Sequence, residues 1–354
     1  MWRQVVGLGL AFGQFGCGGG PRPAGAAPLA GGETLLAMPL QAHAASAPAA
    51  PGWHLTQARA AGAPGGEPVV VAVFDTGVDA DHPSLAGRVY PVLDVVGRDH
   101  HTAGGTRVDY TGLDGNGHGT HVAGIVRAVA GDAPVRLLPV KVIPHDGNGN
   151  DRWLADGVRR ALAWRDPERP GLRARVFNLS VASPGYSARL ARAIQDAQAA
   201  GVLVVAAAGN EGGEVAFPAS LPEVLAVGAT DEAGQRASYS CFGAALDMMA
   251  PGGSDTSPVV SSWPTFLTAS EREAGGALGS LSAGLVGTSM SAPHVSAAAA
   301  LLWGQFPAFN AGQVRACLLA AADDAGPPGP DLQHGFGRLN LARALRVASR
   351  DDLR

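Results

Sequence analysis

Cysteine and charged side chains are scarce in this sequence. It holds three cysteines in 354 residues, and charged residues make up 16%. Cys17, Cys241 and Cys317 do not have the spacing of a metal site. We favour two buried free thiols, Cys241 in a predicted strand and Cys317 in a predicted helix, over a disulfide between them. The net charge of −4 offers no basic surface of the kind that binds nucleic acid, so we expect no nucleic-acid partner.

Long hydrophobic runs are also missing. The apolar run at residues 5–15 is too short and too rich in glycine to cross a bilayer as a permanent helix. Arg3 precedes this run and small residues around Cys17 follow it, which is the pattern of an export signal. We interpret residues 1–17 as a signal peptide, or as a lipoprotein signal whose lipidated Cys17 tethers the protein to a membrane; an unprocessed N-terminus is the alternative. The predicted location is extracellular or the cell envelope.

The next segment, residues 18–51, is rich in alanine, glycine and proline and has almost no hydrophobic periodicity. This composition is typical of a flexible spacer. The overall hydrophobic content of 46% is ample for a large buried core. We therefore place one folded domain at residues 52–354 and expect it to be a monomer.

Within that domain, apolar runs that suit buried strands alternate with helical stretches. The runs lie at residues 69–74, 137–143, 175–179, 202–207 and 224–227. The helical stretches lie at residues 120–130, 152–164, 186–200, 289–305, 311–321 and 340–348. This alternation predicts an α/β fold: a doubly wound, mostly parallel β-sheet with helices on both faces. Working sites in such sheets lie beyond the carboxyl ends of the strands, where Asp75 and Asn210 fall.

Three short segments supply an aspartate, a histidine and a serine in small-residue surroundings. They are residues 71–77 (VAVFDTG), 116–121 (NGHGTH) and 287–294 (GTSMSAPH). A serine hydroxyl needs a nearby base to act as a nucleophile, and a carboxylate can orient that base. We assign Ser289 as nucleophile, His118 as base and Asp75 as its orienting carboxylate. Free N–H groups at the start of the helix after Gly287 would suit an oxyanion, and Pro293 is predicted to lie in the first turn of that helix.

Each residue alone has another interpretation. Asp75 could be a turn or cap residue, and Ser289 could be a helix N-cap. His118 and His121, three residues apart, could form a metal pair, although no glutamate of a zinc-peptidase motif lies between them. The conjunction of all three segments favours the nucleophilic site.

The three segments resemble those of the subtilase family of serine peptidases, and the resemblance extends from about Trp53 to Leu345. It implies a subtilisin-like fold and a serine endopeptidase that acts on proteins or peptides through an acyl-enzyme. It also implies that His118 is the base and His121 a packing residue. A non-catalytic binding protein on the same scaffold is the alternative, disfavoured because the site residues are all present.

The resemblance implies further site residues. Asn210, after Ala207-Ala208-Gly209, would donate its side-chain amide to the oxyanion; alone it could be a turn residue with positive φ. Substrate would bind as an added strand. The residues assigned to substrate binding are Ser180, Val181, Ala182, Ala207, Ala208, Gly209, Glu211, Ala216 and Asn116.

Some of these positions depart from the family pattern. Val181 and Ala182 replace the usual leucine and glycine of the first edge, so that an added methyl could narrow the pockets. Ala216 replaces a glycine at the pocket floor. Glu211 is expected near the pocket mouth, where it would favour a basic or polar substrate residue.

Metal binding departs as well. Many subtilases hold calcium with an aspartate nine residues after the catalytic one, and here that residue is Ser84. Calcium takes six to eight oxygen ligands, which we cannot assemble there. We predict that this calcium site is missing and that no metal or cofactor is needed. We interpret the acidic run at residues 146–151 as a solvated turn rather than a calcium loop, while other calcium sites stay open.

Two segments differ in length from the family pattern. Secreted subtilases are commonly made with a folded pro-domain, but residues 18–51 are too few and too low in complexity to bury the apolar surface that such a domain needs, so either the enzyme folds unaided or its inhibitor is a separate chain. The stretch from residue 252 to 285 is longer than the family minimum and carries Trp263 and Phe266. It lines the leaving-group side of the cleft or is a surface insertion.

Overall fold

The computed structural model describes residues 35–37, 41–43, 52–58, 66–183 and 185–349. The strands are β1 (Leu35–Ala37), β2 (Gln41–His43), β3 (Val69–Asp75), β4 (Leu93–Asp94), β5 (His100–Ala103), β6 (Thr106–Asp109), β7 (Val135–Lys141), β8 (Asn148–Asn150), β9 (Ala174–Leu179), β10 (Leu203–Ala207), β11 (Val224–Thr230), β12 (Met248–Pro251), β13 (Val259–Ser262) and β14 (Ser282–Val286). The helices are α1 (Trp53–Ala58), α2 (His118–Ala130), α3 (Asp151–Ala163), α4 (Ala188–Ala199), α5 (Ala269–Glu273), α6 (Thr288–Gln305), α7 (Ala311–Ala320) and α8 (Leu341–Ala348).

A seven-stranded sheet forms the centre, in the order β12-β11-β10-β9-β3-β7-β4. Every pairing in it is parallel. All seven residues of β3 are buried, as expected for a strand covered on both faces. The predicted doubly wound, mostly parallel sheet is confirmed.

The two faces of the sheet carry separate hydrophobic cores. Val71 and Val73 of β3 face a core shared with α2, α6, α7 and α8. Ala72 and Phe74 face the other core, which includes α3 and α4. The alternation of side chains along one strand therefore supplies both layers.

The strand order reverses beside β3, because β7 lies on one side of it and β9 on the other. Ligands of open α/β sheets bind at such a switch, outside the carboxyl ends of the strands. Asp75 is the last residue of β3 and therefore stands at this point.

Several elements were not predicted from the sequence. They include the helix α5 and five short strands in segments rich in turn-forming residues, namely β4, β5, β6, β13 and β14. Within the predicted spacer, β1 pairs antiparallel with β8 and β2 pairs antiparallel with β14. Edge pairing uses backbone hydrogen bonds, which need no hydrophobic periodicity, so the composition of these residues gave no sign of it. The interpretation of residues 1–17, and the rest of the spacer, fall outside the described residues.

Two further features of the fold are its thiols and the lengths of its helices. Cys241 and Cys317 are both buried and free. Cys317 lies in α7 as predicted, whereas Cys241 lies in the loop between β11 and β12 rather than in a strand. Among the described residues, the helices are all too short or too polar to cross a membrane.

Candidate active site

Asp75 and His118 form a buried pair. Asp75 ends β3 and His118 begins α2, and their side chains are 0% and 1% exposed. The distance from His118 Nδ1 to Asp75 Oδ1 is 2.7 Å. Because an ionised carboxylate only accepts hydrogen bonds, Nδ1 carries the proton and Nε2 is left as an acceptor. Nε2 is buried and makes no hydrogen bond with any described residue.

Close backbone approach makes this pair possible. A Cβ atom placed on Gly119 would lie 2.0 Å from the carbonyl oxygen of Gly77 and 3.1 Å from Cβ of Asp75. Only glycine therefore allows the first turn of α2 to reach the end of β3.

A second carboxylate, Asp114, fixes the start of α2. Its Oδ1 accepts hydrogen bonds from Thr76 Oγ1 (2.7 Å) and from the backbone N–H of Gly117 (2.8 Å). Its Oδ2 accepts from the backbone N–H of Thr120 (2.7 Å) and from the Thr120 hydroxyl (2.6 Å). Asp114 thus satisfies helix N–H groups that would otherwise be unpaired and also holds the residue next to Asp75. No sequence pattern singled out this aspartate.

Ser289 is the second residue of α6 and is 2% exposed. Its Oγ donates a 3.1 Å hydrogen bond to the backbone carbonyl of Ser180, and Ser180 Oγ donates a 2.8 Å bond to the carbonyl of Ser289. The structure therefore joins Ser289 to the predicted substrate edge rather than directly to His118.

The prediction for Pro293 is wrong. Helix α6 begins at Thr288, so Pro293 is its sixth residue and lies beyond the first turn. Proline has no N–H to donate to the carbonyl four residues earlier, which is that of Ser289. This carbonyl is consequently open to the Ser180 hydroxyl, which explains how the helix accommodates the proline.

Asn210 lies against the start of α6. Its Oδ1 accepts hydrogen bonds from the backbone N–H (2.9 Å) and the hydroxyl (2.8 Å) of Thr288. A backbone N–H can only donate, so the atom facing it must be the amide oxygen. This orientation turns the amide nitrogen toward Gly287, where an added Cβ would come within 2.9 Å of Nδ2. Gly287 has φ of 150°, so glycine meets both the conformational and the steric demand.

The two predicted substrate edges differ. On the first, Val181 and Ala182 are buried, and Ala182 stands in a β-bridge. On the second, Ala208 donates to Val227 and accepts from Ala216. Gly209 donates to the Thr288 hydroxyl and accepts from Cys241. The N–H groups of Ala208 and Gly209 therefore already have partners within the protein, which suits the wall of a pocket, and the role of both edges in substrate binding stays a prediction.

The pocket residues lie beside that wall. A Cβ placed on Gly209 would lie 3.1 Å from the Ala216 methyl and 3.1 Å from Glu211 Oε2. The Glu211 carboxylate folds back to accept the backbone N–H of Asn210 at 2.9 Å. The Asn116 amide donates to the carbonyl of His145 at 2.9 Å and accepts weakly from the N–H of His118 at 3.4 Å. Both ends of this predicted substrate-binding side chain are thus engaged within the protein.

His121 is fully buried, and its Nε2 lies 3.0 Å from the carbonyl of Val259 and 3.1 Å from that of Ala283. Burial, helped by the nearby His118, lowers the pKa of His121 to about 3. A neutral imidazole bonded to two carbonyls is a packing residue, as the resemblance implied. In the part of the chain that the structure describes, no group of three or more acidic, histidine or cysteine side chains could hold a metal.

Ser84, at the position of the family's calcium aspartate, takes part in a hydrogen-bond network with a hydroxyl and an imidazole. Its Oγ lies 2.7 Å from Ser262 Oγ and 2.8 Å from His82 Nδ1. His82 Nε2 in turn lies 2.9 Å from the carbonyl of Leu281. The hydroxyl is therefore engaged by side chains from β13 and the loop after β3.

A buried ion pair supports the loop after Asp75. Lys141 Nζ lies 2.9 Å from Asp99 Oδ2 and donates to the carbonyls of Thr76 (2.6 Å) and Leu113 (3.0 Å). Burial opposes ionisation of Asp99. The hydrogen bond from His145 and the charge of Lys141 outweigh it and hold the pKa of Asp99 below its usual value. Neither partner was predicted from the sequence, since a lone lysine at a strand end gives no sign of a buried ion pair.

Comparison with known proteins gives a consistent result. The Subtilase family profile matches residues 66–337, which include Asp75, His118, Asn210 and Ser289. Subtilisin DY of Bacillus licheniformis is 36% identical over 293 residues, covering 79% of this chain and 92% of that protein. Subtilisin Savinase of Lederbergia lenta is 38% identical over 289 residues, with the same two coverages of 79% and 92%. An alkaline protease of Alkalihalobacillus alcalophilus is 38% identical over 289 residues and is covered to 65%.

Proposed function

The chain belongs to the subtilase family of serine endopeptidases, and we propose that it hydrolyses peptide bonds through an acyl-enzyme formed on Ser289. The observation that carries this assignment is the buried 2.7 Å contact of Asp75 with His118, which leaves Nε2 of the imidazole as a proton acceptor. Proteins or peptides are the substrates.

In the first step, the Ser289 hydroxyl leaves the carbonyl of Ser180, rotates toward His118 and gives its proton to Nε2. Catalytic hydrogen bonds of free enzymes are often formed only with substrate, so the present Ser289–Ser180 contact of 3.1 Å is compatible with this role. Asp75 stabilises the resulting imidazolium and keeps its orientation. His118 then protonates the departing amine, and water hydrolyses the acyl-enzyme by the reverse transfers.

The oxyanion of each tetrahedral intermediate would be held by Nδ2 of Asn210 and the backbone N–H of Ser289. The two bonds from Thr288 to Oδ1 support this role, because they fix the amide before substrate arrives. A donor that is already oriented needs no reorganisation when the charge develops.

A sulfonyl fluoride provides the direct test. The full chain should be labelled stoichiometrically at Ser289, with loss of peptide hydrolysis. The Ser289→Ala chain should be neither labelled nor active, while its melting temperature stays close to that of the unsubstituted protein. Peptide hydrolysis by the Ser289→Ala chain above a mock preparation would contradict the proposal.

Substrate is proposed to add as a strand to Ser180-Val181-Ala182, where the Ser180 carbonyl would be released when the Ser289 hydroxyl turns toward His118. We retain the proposal that Glu211 favours a basic or polar residue in the neighbouring pocket, since its carboxylate lies 3.1 Å from where a Gly209 side chain would project. Profiling a peptide library with Glu211→Gln tests it: an unchanged preference for lysine or arginine would contradict the role of the charge.

Calcium is proposed to be unnecessary at Ser84. The bonds of this hydroxyl to Ser262 and His82 support the proposal, because calcium would need several oxygen ligands and one of these two partners is an imidazole nitrogen. A chelator should leave the melting temperature unchanged. A sharp fall on chelation, restored by added calcium, would contradict the proposal.

Export and a monomeric state are also proposed, with residues 1–17 as the signal and Cys17 as the candidate lipid attachment site. The apolar run and the small residues of this segment support the proposal. Intact-mass measurement of the exported protein would identify the mature N-terminus and any lipid, and light scattering would give the mass of the assembly. Retention of residues 1–17 in the exported protein would contradict it.

A further inference from the structure

Between β13 and β14 the chain makes an excursion, residues 263–281, before it returns to Ser289. This segment is bonded to the loop that follows Asp75. Asp79, which is 5% exposed, accepts hydrogen bonds at Oδ2 from the backbone N–H and the hydroxyl of Thr265, both at 2.8 Å. The start of the excursion is therefore fixed relative to the end of β3.

The excursion is also bonded to the loop that leads into His118. The backbone N–H of Ala269 donates to the carbonyl of Gly115 at 2.8 Å. The Tyr110 hydroxyl donates to the carbonyl of Leu267 at 2.8 Å and accepts from Arg272 Nε at 2.9 Å. Because both loops come from the catalytic edge of the sheet, the excursion forms part of the rim of the active site.

Trp263 lies against the residue that precedes the catalytic histidine. A Cβ placed on Gly117 would lie 2.4 Å from Cη2 of the indole. The backbone N–H of Trp263 donates to Leu281 at 2.8 Å, and Nε1 donates to Glu271 Oε1 at 3.1 Å. The residue is half-buried and packs in part against the core that α2 shares, so the ring is held rigidly beside Gly117.

The direction of the chain tells which part of a substrate would meet this ring. Ser180, on the predicted first edge, bonds to Ser289 from one side, and β14 enters Ser289 through Gly287 from the other. If the acyl half of a substrate lies along Ser180-Val181-Ala182, the leaving half extends toward His118 and β14. Because β14 pairs with β13 on one side and with β2 on the other, the leaving half would meet side chains there rather than a free strand edge.

We propose that Trp263 is a specificity-determining residue that contacts the substrate residues following the scissile bond and selects an apolar or aromatic side chain there. The inference rests on the proposed function of Ser289. The physical basis is that an accessible indole face offers stacking and apolar contact at low cost in conformational entropy, because the ring is already fixed.

Two kinds of substrate separate this role from a general effect on folding or catalysis. A peptide methyl ester has neither an amino acid nor an aromatic group after the scissile bond, whereas a fluorescence-quenched peptide can carry phenylalanine or glycine directly after it. The measured quantity is kcat/KM for each substrate. With Trp263→Ala, the preference for phenylalanine over glycine should fall about tenfold, and the ratio of phenylalanine-peptide to methyl-ester cleavage should fall with it.

Acyl transfer gives an independent measurement of the same contact. An added amino-acid amide attacks the ester carbonyl of the acyl-enzyme; its nitrogen forms the new peptide bond and loses a proton to His118, which returns it to Ser289 Oγ as the ester bond breaks. The yield of this product relative to hydrolysis reports occupancy of the leaving-group side. Phenylalanine amide should outcompete glycine amide in the unsubstituted protein and lose that advantage in Trp263→Ala.

Two further variants serve as controls. Trp263→Phe keeps an aromatic face and should restore most of the preference. Phe336→Ala removes another exposed aromatic ring, 43% exposed and remote in sequence, and should leave the preference unchanged. Equal losses on methyl ester and quenched peptide, or an unchanged preference in Trp263→Ala, would overturn the inference. Failure of sulfonyl fluoride labelling at Ser289 would instead refute the proposed function.

Discussion

The Ser180 hydroxyl donates a 2.8 Å hydrogen bond to the backbone carbonyl of Ser289. This contact ties the candidate substrate edge to the candidate nucleophile. It takes the place of a helical bond that Pro293 cannot form, because proline lacks an N–H.

Removal of the Ser180 hydroxyl should therefore destabilise the folded protein. Ser180→Ala leaves a buried carbonyl without a partner, and we expect the free energy of unfolding to fall by about 1–3 kcal/mol. Pro293→Ala restores an N–H four residues after Ser289, so Ser180→Ala should cost less in that background. Urea titrations of the four proteins, each carrying Ser289→Ala to prevent self-digestion, measure the coupling. Strict additivity of the two substitutions would show that they do not share the carbonyl.

The orientation of Asn210 predicts a specific effect on turnover. Asn210→Asp keeps Oδ1 as the acceptor for Thr288 but replaces the donating nitrogen with an oxygen that repels the oxyanion. We expect kcat to fall by about 100- to 1,000-fold or more, with KM nearly unchanged, because the lost interaction exists only in the transition state. Steady-state kinetics on a peptide anilide would measure both constants. A change confined to KM would assign Asn210 to substrate binding instead.

The motif residues could be predicted from sequence, whereas their supports could not. Asp75, His118 and Ser289 stand in extended patterns whose residue types and order carry the chemistry. Asp114 supports the site by accepting a hydrogen bond from Thr76, which lies 38 residues away in the chain, and no local sequence pattern indicates that contact. The Ser180–Ser289 bond spans 109 residues and likewise depends on tertiary packing.

The same distinction holds for the fold. The buried parallel strands were predictable because both faces are covered, which produces continuous apolar runs such as that of β3. The short strands β13 and β14 contain serine and glycine and lie among turn residues. Their formation depends on backbone pairing with one another, which single-sequence patterns do not reveal.

The buried pair of Lys141 and Asp99 predicts that a single substitution in it causes a large loss of stability. Lys141→Met leaves the Asp99 carboxylate buried without its cation, and we expect a cost of about 3–5 kcal/mol in the free energy of unfolding. Replacing both residues, as Lys141→Met with Asp99→Leu, should cost less than the single change because no buried charge is left unpaired. Denaturant unfolding of the inactive Ser289→Ala chain measures both. If the double variant were the less stable of the two, the charges would be net stabilising.

His121 predicts how stability depends on pH. Its pKa is lowered from 6.5 to about 3, mainly by burial and then by repulsion from His118. Below about pH 6.5 the unfolded chain binds a proton at this imidazole that the folded chain does not, so the free energy of unfolding falls as the pH falls toward 3. One such proton contributes a slope of up to about 1.4 kcal/mol per pH unit. His121→Asn should reduce the slope measured between pH 6 and pH 4 by that amount, whatever its effect on stability at pH 7. Parallel stability curves for the two proteins over this interval would show that His121 is not a source of the acid sensitivity.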